Sequence, residues 1–267
     1  MHFYLVGEMM RRQGYKVSYD VTWFDTWGWD INCKFRRNLH LSNMFPYLQW
    51  TPRRKGLVNL IYSQLHEHHN DYFKDEPTAW LGLKPPVYMT GYYQHPDEMF
   101  TKIFDEVFHL DYGVLDEKNQ QALQEIRSKG QNAVAIHVRR GDLSTYLESY
   151  GEPVSVRYFA DAIKLIQSKI AYPAFFVFSD EPDWCRENIL PLIPDAKIMD
   201  INSSDTGYLD LALIANCPNV ITSKGSFGKY EAMLRPKDLR DGIVVLCEDM
   251  DIAEWGTRFS NTYSFPL

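Results

Sequence analysis

The six residues His137-Val138-Arg139-Arg140-Gly141-Asp142 carry the clearest chemical signal in the chain. They close a run of apolar residues from Asn132 to Val138 that reads as a short buried strand. In an open α/β sheet, ligands bind beyond the carboxyl ends of the strands. Two adjacent arginines at such a position can meet a pyrophosphate through charge-assisted, partly bidentate hydrogen bonds. Asp142 could hold one guanidinium in place, and the same trio also fits a solvated loop with Asp142 as a salt-bridge partner. A second anion site is suggested by Gly225-Ser226-Phe227-Gly228, a turn between a strand and a helix whose backbone amides could face a phosphate. The alternative there is a tight turn in which glycine supplies positive φ. It is not a Walker A loop: the GxxxxGK[ST] spacing is missing, and Tyr230 stands where a magnesium-binding hydroxyl would be.

Other conspicuous groups read as ordinary. Asp180-Glu181-Pro182-Asp183 resembles helix-capping acid more than a metal-binding DxD. His66-Glu67-His68-His69 is not HExxH, and on a helix the four cannot share one face, so no metal site is assigned. The cysteines (Cys33, Cys185, Cys217 and Cys247) form no CxxC pair and read as reduced, buried thiols. Trp23, Trp27 and Trp29 suit core or lobe packing, or stacking on an acceptor sugar. Arg36-Arg37 and Arg53-Arg54-Lys55 suit solvated faces, or a basic patch near an anionic lipid-linked acceptor.

The elements that must position these groups are plainest in the second half. Strands are expected at 132–138, 174–178, 197–201, 220–222 and 243–246, alternating with helices from Ser155 to about Ile170, from Pro182, over 207–216, and from the Gly225 turn to about Leu234. Continuously apolar strands alternating with helices imply a parallel sheet covered on both faces. In the first half, helices are expected at 2–12 and 57–69, near Pro96 and over 116–129, with strands at 16–21 and 87–91. Ser128-Lys129-Gly130 breaks the pattern, so the expected division is 1–130 and 131–267, giving two α/β lobes facing a cleft.

The net charge of −7 excludes non-specific nucleic-acid binding, which needs a basic surface, but leaves room for a small basic pocket. No apolar run reaches the roughly 18–20 residues that span a bilayer, and the N-terminus shows no signal-peptide pattern; a cytoplasmic location follows as the expectation.

Taken together, the motifs resemble the α-1,2-fucosyltransferases of glycosyltransferase family 11. HVRRGD is similar to that family's HxRRxD motif. Val17-Ser18-Tyr19-Asp20 resembles its early strand ending in aspartate, and Thr90-Gly91-Tyr92-Tyr93-Gln94 through Phe100 its GYxQ…F segment. Phe176-Val177-Phe178-Ser179-Asp180 resembles its FVFSD strand, and Leu209-Asp210-Leu211 through Cys217, then Ser226-Phe227, its last block. The resemblance implies a GT-B-like architecture of two Rossmann-like lobes, the C-terminal one binding GDP-fucose. Arg139 would neutralise the β-phosphate of departing GDP, and His137 and Asp210 would meet the nucleoside, Asp210 accepting from guanine N1 and N2. Ser226 and Phe227 would line the nucleotide pocket, with Asp180 also among the substrate-binding residues and Arg140 and Asp142 supporting the loop.

It further implies inverting transfer of fucose to a galactose-type hydroxyl of a bacterial surface glycan such as an O-antigen, with no cofactor and no metal. A peripheral contact with the inner membrane carrying a lipid-linked acceptor is compatible with this. Asp20 is the first candidate for a base that takes the acceptor proton, with Glu148 and Glu152 as others. Two departures from the family pattern stand out. The GGLGNQ-type turn that ordinarily precedes the residues matched by Met1 to Tyr4 is not in the sequence, which raises an impaired homologue or a gene fragment as the alternative. Gly228-Lys229-Tyr230 replaces a serine and two tryptophans, and Lys229 either adds positive charge to the pocket or is solvated.

Overall fold

The computed structural model describes all residues except 30–32, 34–35, 54–55, 72–74, 77, 94–96, 146, 148–151, 204, 249–257 and 267, and the side chains of Val58, Asp97, Glu98, Asp142, Thr145 and Glu248. The chain forms two compact units, one of residues 1–28 and 37–109, the other of 29–36 and 110–267.

The first unit is built on short elements. Helix α1 (His2–Arg12) buries Tyr4, Leu5, Val6, Met9 and Met10 on one face. Its last turn carries Arg11 and Arg12, which pair with Glu8 and complement the helix dipole. Strand β1 (Tyr19–Asp20) pairs in parallel with β2 (Pro52–Arg53), and β3 (Glu67–Asn70) with β4 (Tyr88–Gly91). Helices α2 (Thr22–Thr26), α3 (Leu41–Met44), α4 (Leu57–His66) and α5 (Asp97–Val107) complete the unit. An aromatic core of Phe45, Phe100, Phe104 and Phe108 forms inside it, with Tyr4 and Tyr19 stacked at 5.8 Å. The helix expected over 57–69 ends at His66, because residues 67–70 take up the hydrogen bonds of a strand beside β4. The expected strand over 16–21 contracts to two residues.

The second unit contains a six-stranded, wholly parallel sheet made of β5 (Ala133–Val138), β6 (Ala174–Ser179), β7 (Lys197–Ile198), β8 (Asn219–Ile221), β9 (Val244–Glu248) and β10 (Thr262–Pro266), in the order β10-β9-β8-β5-β6-β7. Counted from β5, this is the 3-2-1-4-5-6 order of doubly wound folds, with its reversal between β5 and β8. Its helices are α6 (Glu117–Ser128), α7 (Gly141–Thr145), α8 (Val156–Lys169), α9 (Pro182–Asn188), α10 (Asp210–Ile214) and α11 (Phe227–Met233).

Local chemistry sets these boundaries. Ser155 Oγ accepts from the amide of Tyr158 at 3.2 Å and starts α8, while Pro182 opens α9 where its missing N–H costs nothing. Tyr158, Phe159, Ala162, Ile163 and Ile166 of α8 pack on Val134, Ile136 and Val138 of β5, all buried. The helix expected over 207–216 is a 3₁₀ turn, Gly207–Leu209, running into the shorter α10. Strand β10 was not foreseen: its Tyr-Ser-Phe alternation is short, and only pairing with β9 makes it a strand. Helix α6 belongs with this unit, since Arg127 Nε donates to Asn216 Oδ1 at 2.9 Å and Asn119 is buried against Asn202. The units therefore divide between His109 and Leu110, ahead of the Gly130 turn. Cys185, Cys217 and Cys247 are buried thiols as expected, whereas Cys33 is exposed.

Candidate active site

The site is organised where β5, β6 and β8 end. β5 is buried along its whole length, so the chain emerges from the sheet at Val138 and its next two residues are the first that can reach solvent. The amide of Arg139 donates to Ser223 Oγ at 2.9 Å, which ties the exits of β5 and β8 together at the reversal point. The amide of Arg140 donates to Asp180 Oδ1 at 2.9 Å and so ties in β6.

The two guanidiniums diverge. Arg139 Nη1 lies 3.8 Å from Asp180 Oδ2, a loose pair in which the Arg139 side chain keeps about a third of its surface, 32%, open to solvent. Arg140 turns the other way: its Nε donates to Glu181 Oε2 at 3.2 Å, and its guanidinium stacks 4.0 Å above the Trp184 ring. Ser144 Oγ reaches the other oxygen of Glu181 at 3.3 Å. Glu181 and Trp184 thus hold the Arg140 side chain on this loop. The side chain of Asp142 lies outside the described residues. The three acids within 180–183 divide their work: Asp180 anchors the loop, Glu181 holds Arg140, and Asp183 pairs with Arg186 at 2.6 Å. Side-chain helix capping is not their role, since Glu181 stands at the start of α9 without a capping hydrogen bond. Gly141 must be small, because a Cβ there would stand 2.6 Å from Asp180 Oδ2. Burial raises the Asp180 carboxyl above its usual range, opposed by Arg139 and by the amides of Arg140 and Gly141.

His137, the penultimate residue of β5, is buried beneath the β8–α11 turn. Its ring lies 5.4 Å from that of Phe227, and Nδ1 would be 2.8 Å from a Cβ placed on Gly228. Burial first, then Arg139 and Lys229, pushes its pKa down to about 3, so the imidazole is neutral. Lys229 is buried, which settles its two readings: it is not a solvated residue, and its charge acts on the His137 side of the site. Gly225 has φ +90°, so the glycine-permits-positive-φ reading of this turn holds there. Ser226 is exposed and Phe227 half-buried at the start of α11.

Asp210 begins α10 and accepts from Asn202 Nδ2 at 2.6 Å. Burial pushes its pKa up to about 7, with the Asn202 hydrogen bond opposing. Further along the chain, in α11, Glu231 is fully buried, and neither carboxylate oxygen has a hydrogen-bond partner among the described residues. Burial, then the neighbouring Asp210 charge, raises it well above the usual carboxylate range.

Asp20 belongs to the first unit. Its Oδ2 accepts from the Tyr88 hydroxyl at 2.7 Å and its Oδ1 from the Thr22 amide at 2.9 Å. Of the other base candidates, Glu148 lies outside the described residues, and Glu152 offers its carbonyl to Lys224 at 2.6 Å. Trp23, Trp27 and Trp29 are exposed rather than core residues. His66 to His69 run from helix into strand, with His69 Nδ1 3.2 Å from Thr90 Oγ1. Among the described residues, no group of three or more His, Cys, Asp or Glu side chains is arranged to hold a metal ion, and no helix is long and apolar enough to cross a membrane.

Sequence reasoning missed Ser223, Glu181, Trp184 and Glu231. Ser223 had a weak signal, a Thr-Ser pair ending an apolar strand; Trp184, three residues after Glu181 on a helix, had none that separates it from core.

A wholly parallel sheet whose order reverses between β5 and β8, with Arg139 and Lys229 beside a neutral histidine near that reversal, defines a Rossmann-like lobe. The chain belongs to glycosyl transferase family 11, whose model matches residues 46–260. It is 25% identical over 177 residues to human galactoside alpha-(1,2)-fucosyltransferase 1, covering 66% of this chain and 48% of that one. It is 31% identical over 114 residues to an Escherichia coli alpha-1,2-colitosyltransferase, covering 40% and 38%. The chain thus spans about half the length of the first of these relatives or less. Among solved structures, a glycosyl transferase family 9 protein from Veillonella parvula DSM 2008 aligns over 85% of this chain and 74% of that one, at TM-score 0.42 and 11% identity.

Proposed function

We propose that the protein transfers L-fucose from GDP-fucose to a galactose-type hydroxyl of a glycan, forming an α-1,2 linkage, as an inverting enzyme of GT-B-like design that uses no divalent cation and serves bacterial surface-glycan synthesis. The observation that carries this reading is Arg139, held by its amide at the strand reversal with its side chain about a third open to solvent, 32%. The family relationship and the names of the relatives support the donor and the linkage.

In this scheme the bond between fucose C1 and the β-phosphate oxygen breaks, and GDP leaves with the electron pair. Arg139 compensates the charge that builds on the diphosphate, with Lys229 adding to the local positive field. A fixed guanidinium needs no reorganisation at the moment of reaction, which is where its advantage over solvent lies. The acceptor oxygen attacks the opposite face of the sugar, converting a β-linked donor into an α-linked product. Its proton passes to Asp20, whose two oxygens are oriented by Tyr88 and the Thr22 amide. His137, neutral at working pH, meets the nucleoside side with Phe227, and the Asp210 carboxylate accepts from guanine N1 and N2.

A second reading differs only in the sugar: the 31% identity to the colitosyltransferase favours colitose in place of fucose. One assay tests both. The protein is supplied separately with GDP-fucose and GDP-colitose, a galactose-terminated acceptor and excess chelator, and the product linkage is read by NMR. An α-1,2-fucosylated product supports the first reading, and transfer from GDP-colitose alone the second. Release of no GDP from either overturns both and leaves the impaired-homologue alternative.

A further inference from the structure

The outward face of the β3–β4 pair carries a connected row of polar side chains that runs to Asp20. Glu67 and His69 of β3 stand in register with Tyr88 and Thr90 of β4, and alternate residues of a strand share a face. Thr90 Oγ1 donates to Glu67 Oε1 at 2.9 Å, and His69 Nδ1 lies 3.2 Å from the same hydroxyl. The Tyr88 hydroxyl donates to Asp20 Oδ2 at 2.7 Å. Burial, then the bond to Asp20 and the Asp20 and Glu67 charges, raises Tyr88 above the usual phenol range, so it keeps its proton and goes on donating. Asp20 and Glu67 are both exposed, and the second oxygen of Glu67 takes no hydrogen bond among the described residues. Aromatic rings follow directly. The Thr22 amide holds Asp20 Oδ1, Trp23 is the next residue, and Trp27 lies one helical turn further, its amide donating to the Trp23 carbonyl at 2.9 Å. These two indoles are 44% and 54% exposed, and every residue of the row lies in the first unit.

We infer that this face is the acceptor subsite, where the Trp23 and Trp27 rings take the C–H face of a terminal pyranose while Asp20 and Glu67 accept hydrogen bonds from its hydroxyls. A pyranose has an apolar face edged by hydroxyl groups, and the protein presents the complement: exposed indoles beside ionised oxygens. Large exposed aromatics mark a surface that binds something, and a hydrogen bond to a carboxylate is about twice as strong as one between neutral groups. Two carboxylates beside the rings argue against a phosphate, which they would repel, and against a purely apolar partner, which would bury them unpaired. The inference rests on the proposed function for the galactose-type acceptor and deepens it in one respect. With the C2 hydroxyl turned to Asp20, Glu67 is the residue that reads the adjacent hydroxyl on C3. A sugar without that hydroxyl leaves a polar group of the protein unpaired, which is how such sites discriminate.

The test is ligand-observed NMR titration of the full chain with methyl β-galactoside and with its 3-deoxy analogue, in the absence of any nucleotide sugar. Wild type is expected to bind the galactoside about fivefold to tenfold more tightly than the analogue, the scale of one charge-assisted hydrogen bond. Glu67→Ala should weaken the galactoside by that factor and leave the two sugars bound alike, an outcome that a merely structural role for Glu67 does not produce. Trp23→Ala should weaken both sugars equally, by about tenfold. Should Glu67→Ala lose its circular dichroism melt, Glu67→Gln, which keeps an acceptor for Thr90, should still narrow the preference between the sugars. Absence of galactoside binding to wild type overturns the inference, as does a preference that survives loss of the Glu67 carboxylate. So does a dimer in sedimentation velocity that Trp23→Ala dissociates, which would make the rings an interface between copies. A protein that binds the galactoside as described but transfers neither fucose nor colitose would sink the proposed function and leave this inference standing.

Discussion

The main-chain amide of Arg139 donates to the hydroxyl of Ser223 at 2.9 Å, so the residue proposed to meet the diphosphate is positioned by the end of a different strand. The bond crosses the reversal point of the sheet, joining the exits of β5 and β8. Backbone amides at strand ends lack ladder partners, and here a buried side chain supplies one. Ser223→Ala is expected to lower kcat about tenfold to a hundredfold with a smaller change in KM, because a displaced guanidinium mainly costs transition-state stabilisation. Ser223→Thr, which keeps the hydroxyl, should restore most of the rate. Steady-state kinetics on the two variants checks this.

Gly228 is a contact of His137. A methyl group there would meet Nδ1 at 2.8 Å and Thr222 Cβ at 3.3 Å, and both neighbours are buried in fixed positions. Gly228→Ala should destabilise the protein by about 1–3 kcal/mol, the usual cost of overpacking. Urea denaturation would show this as a lower midpoint with an unchanged slope.

Asp210 gives the proposed guanine contact a pH signature. Its pKa of about 7 in the free protein means the carboxylate that would accept from N1–H and N2–H is only partly formed at neutral pH. GDP affinity should therefore level off near pH 8, and should fall towards tenfold per pH unit below about 7. Calorimetric titration of GDP from pH 5.5 to 8.5 measures it. His137 contributes nothing to this profile, since it stays neutral throughout.

Glu231 gives a stability signature of the opposite kind to a salt-bridged acid. Its folded-state pKa lies well above 4.5, so the fold favours the protonated form. As pH rises above the unfolded value, the unfolded chain releases its proton and gains on the native state. Glu231→Gln keeps the shape of the neutral acid and removes that loss. It should raise Tm by about 2–4 °C at pH 8 and leave it unchanged near pH 4, as read by differential scanning calorimetry.

The sequence was most legible where the backbone has one apolar solution. The run Asn132 to Val138 can only be a buried strand, so its Arg139 exit could be placed before any coordinates. The Ser155 cap and Pro182 likewise fix helix starts through local chemistry alone. What stayed hidden depends on distant partners. Glu181 as the holder of Arg140, and Trp184 beneath that guanidinium, lie some forty residues along the chain and meet it only through sheet order. The burial of Lys229 was equally unreadable, because a lysine in a short helix faces solvent by default. Residues 67 to 69 were misassigned to helix since their strand partner at 88–91 is remote in sequence.

The account rests on the Arg139 guanidinium, and the most direct measurement is turnover of GDP-fucose by Arg139→Ala in excess chelator, alongside wild type. Wild type should turn over without added cation, and the variant should keep its circular dichroism melt while kcat falls by about 10²–10³, the scale of losing one preorganised charge at a developing anion. A folded Arg139→Ala protein that transfers fucose within a few-fold of the wild-type rate would contradict it.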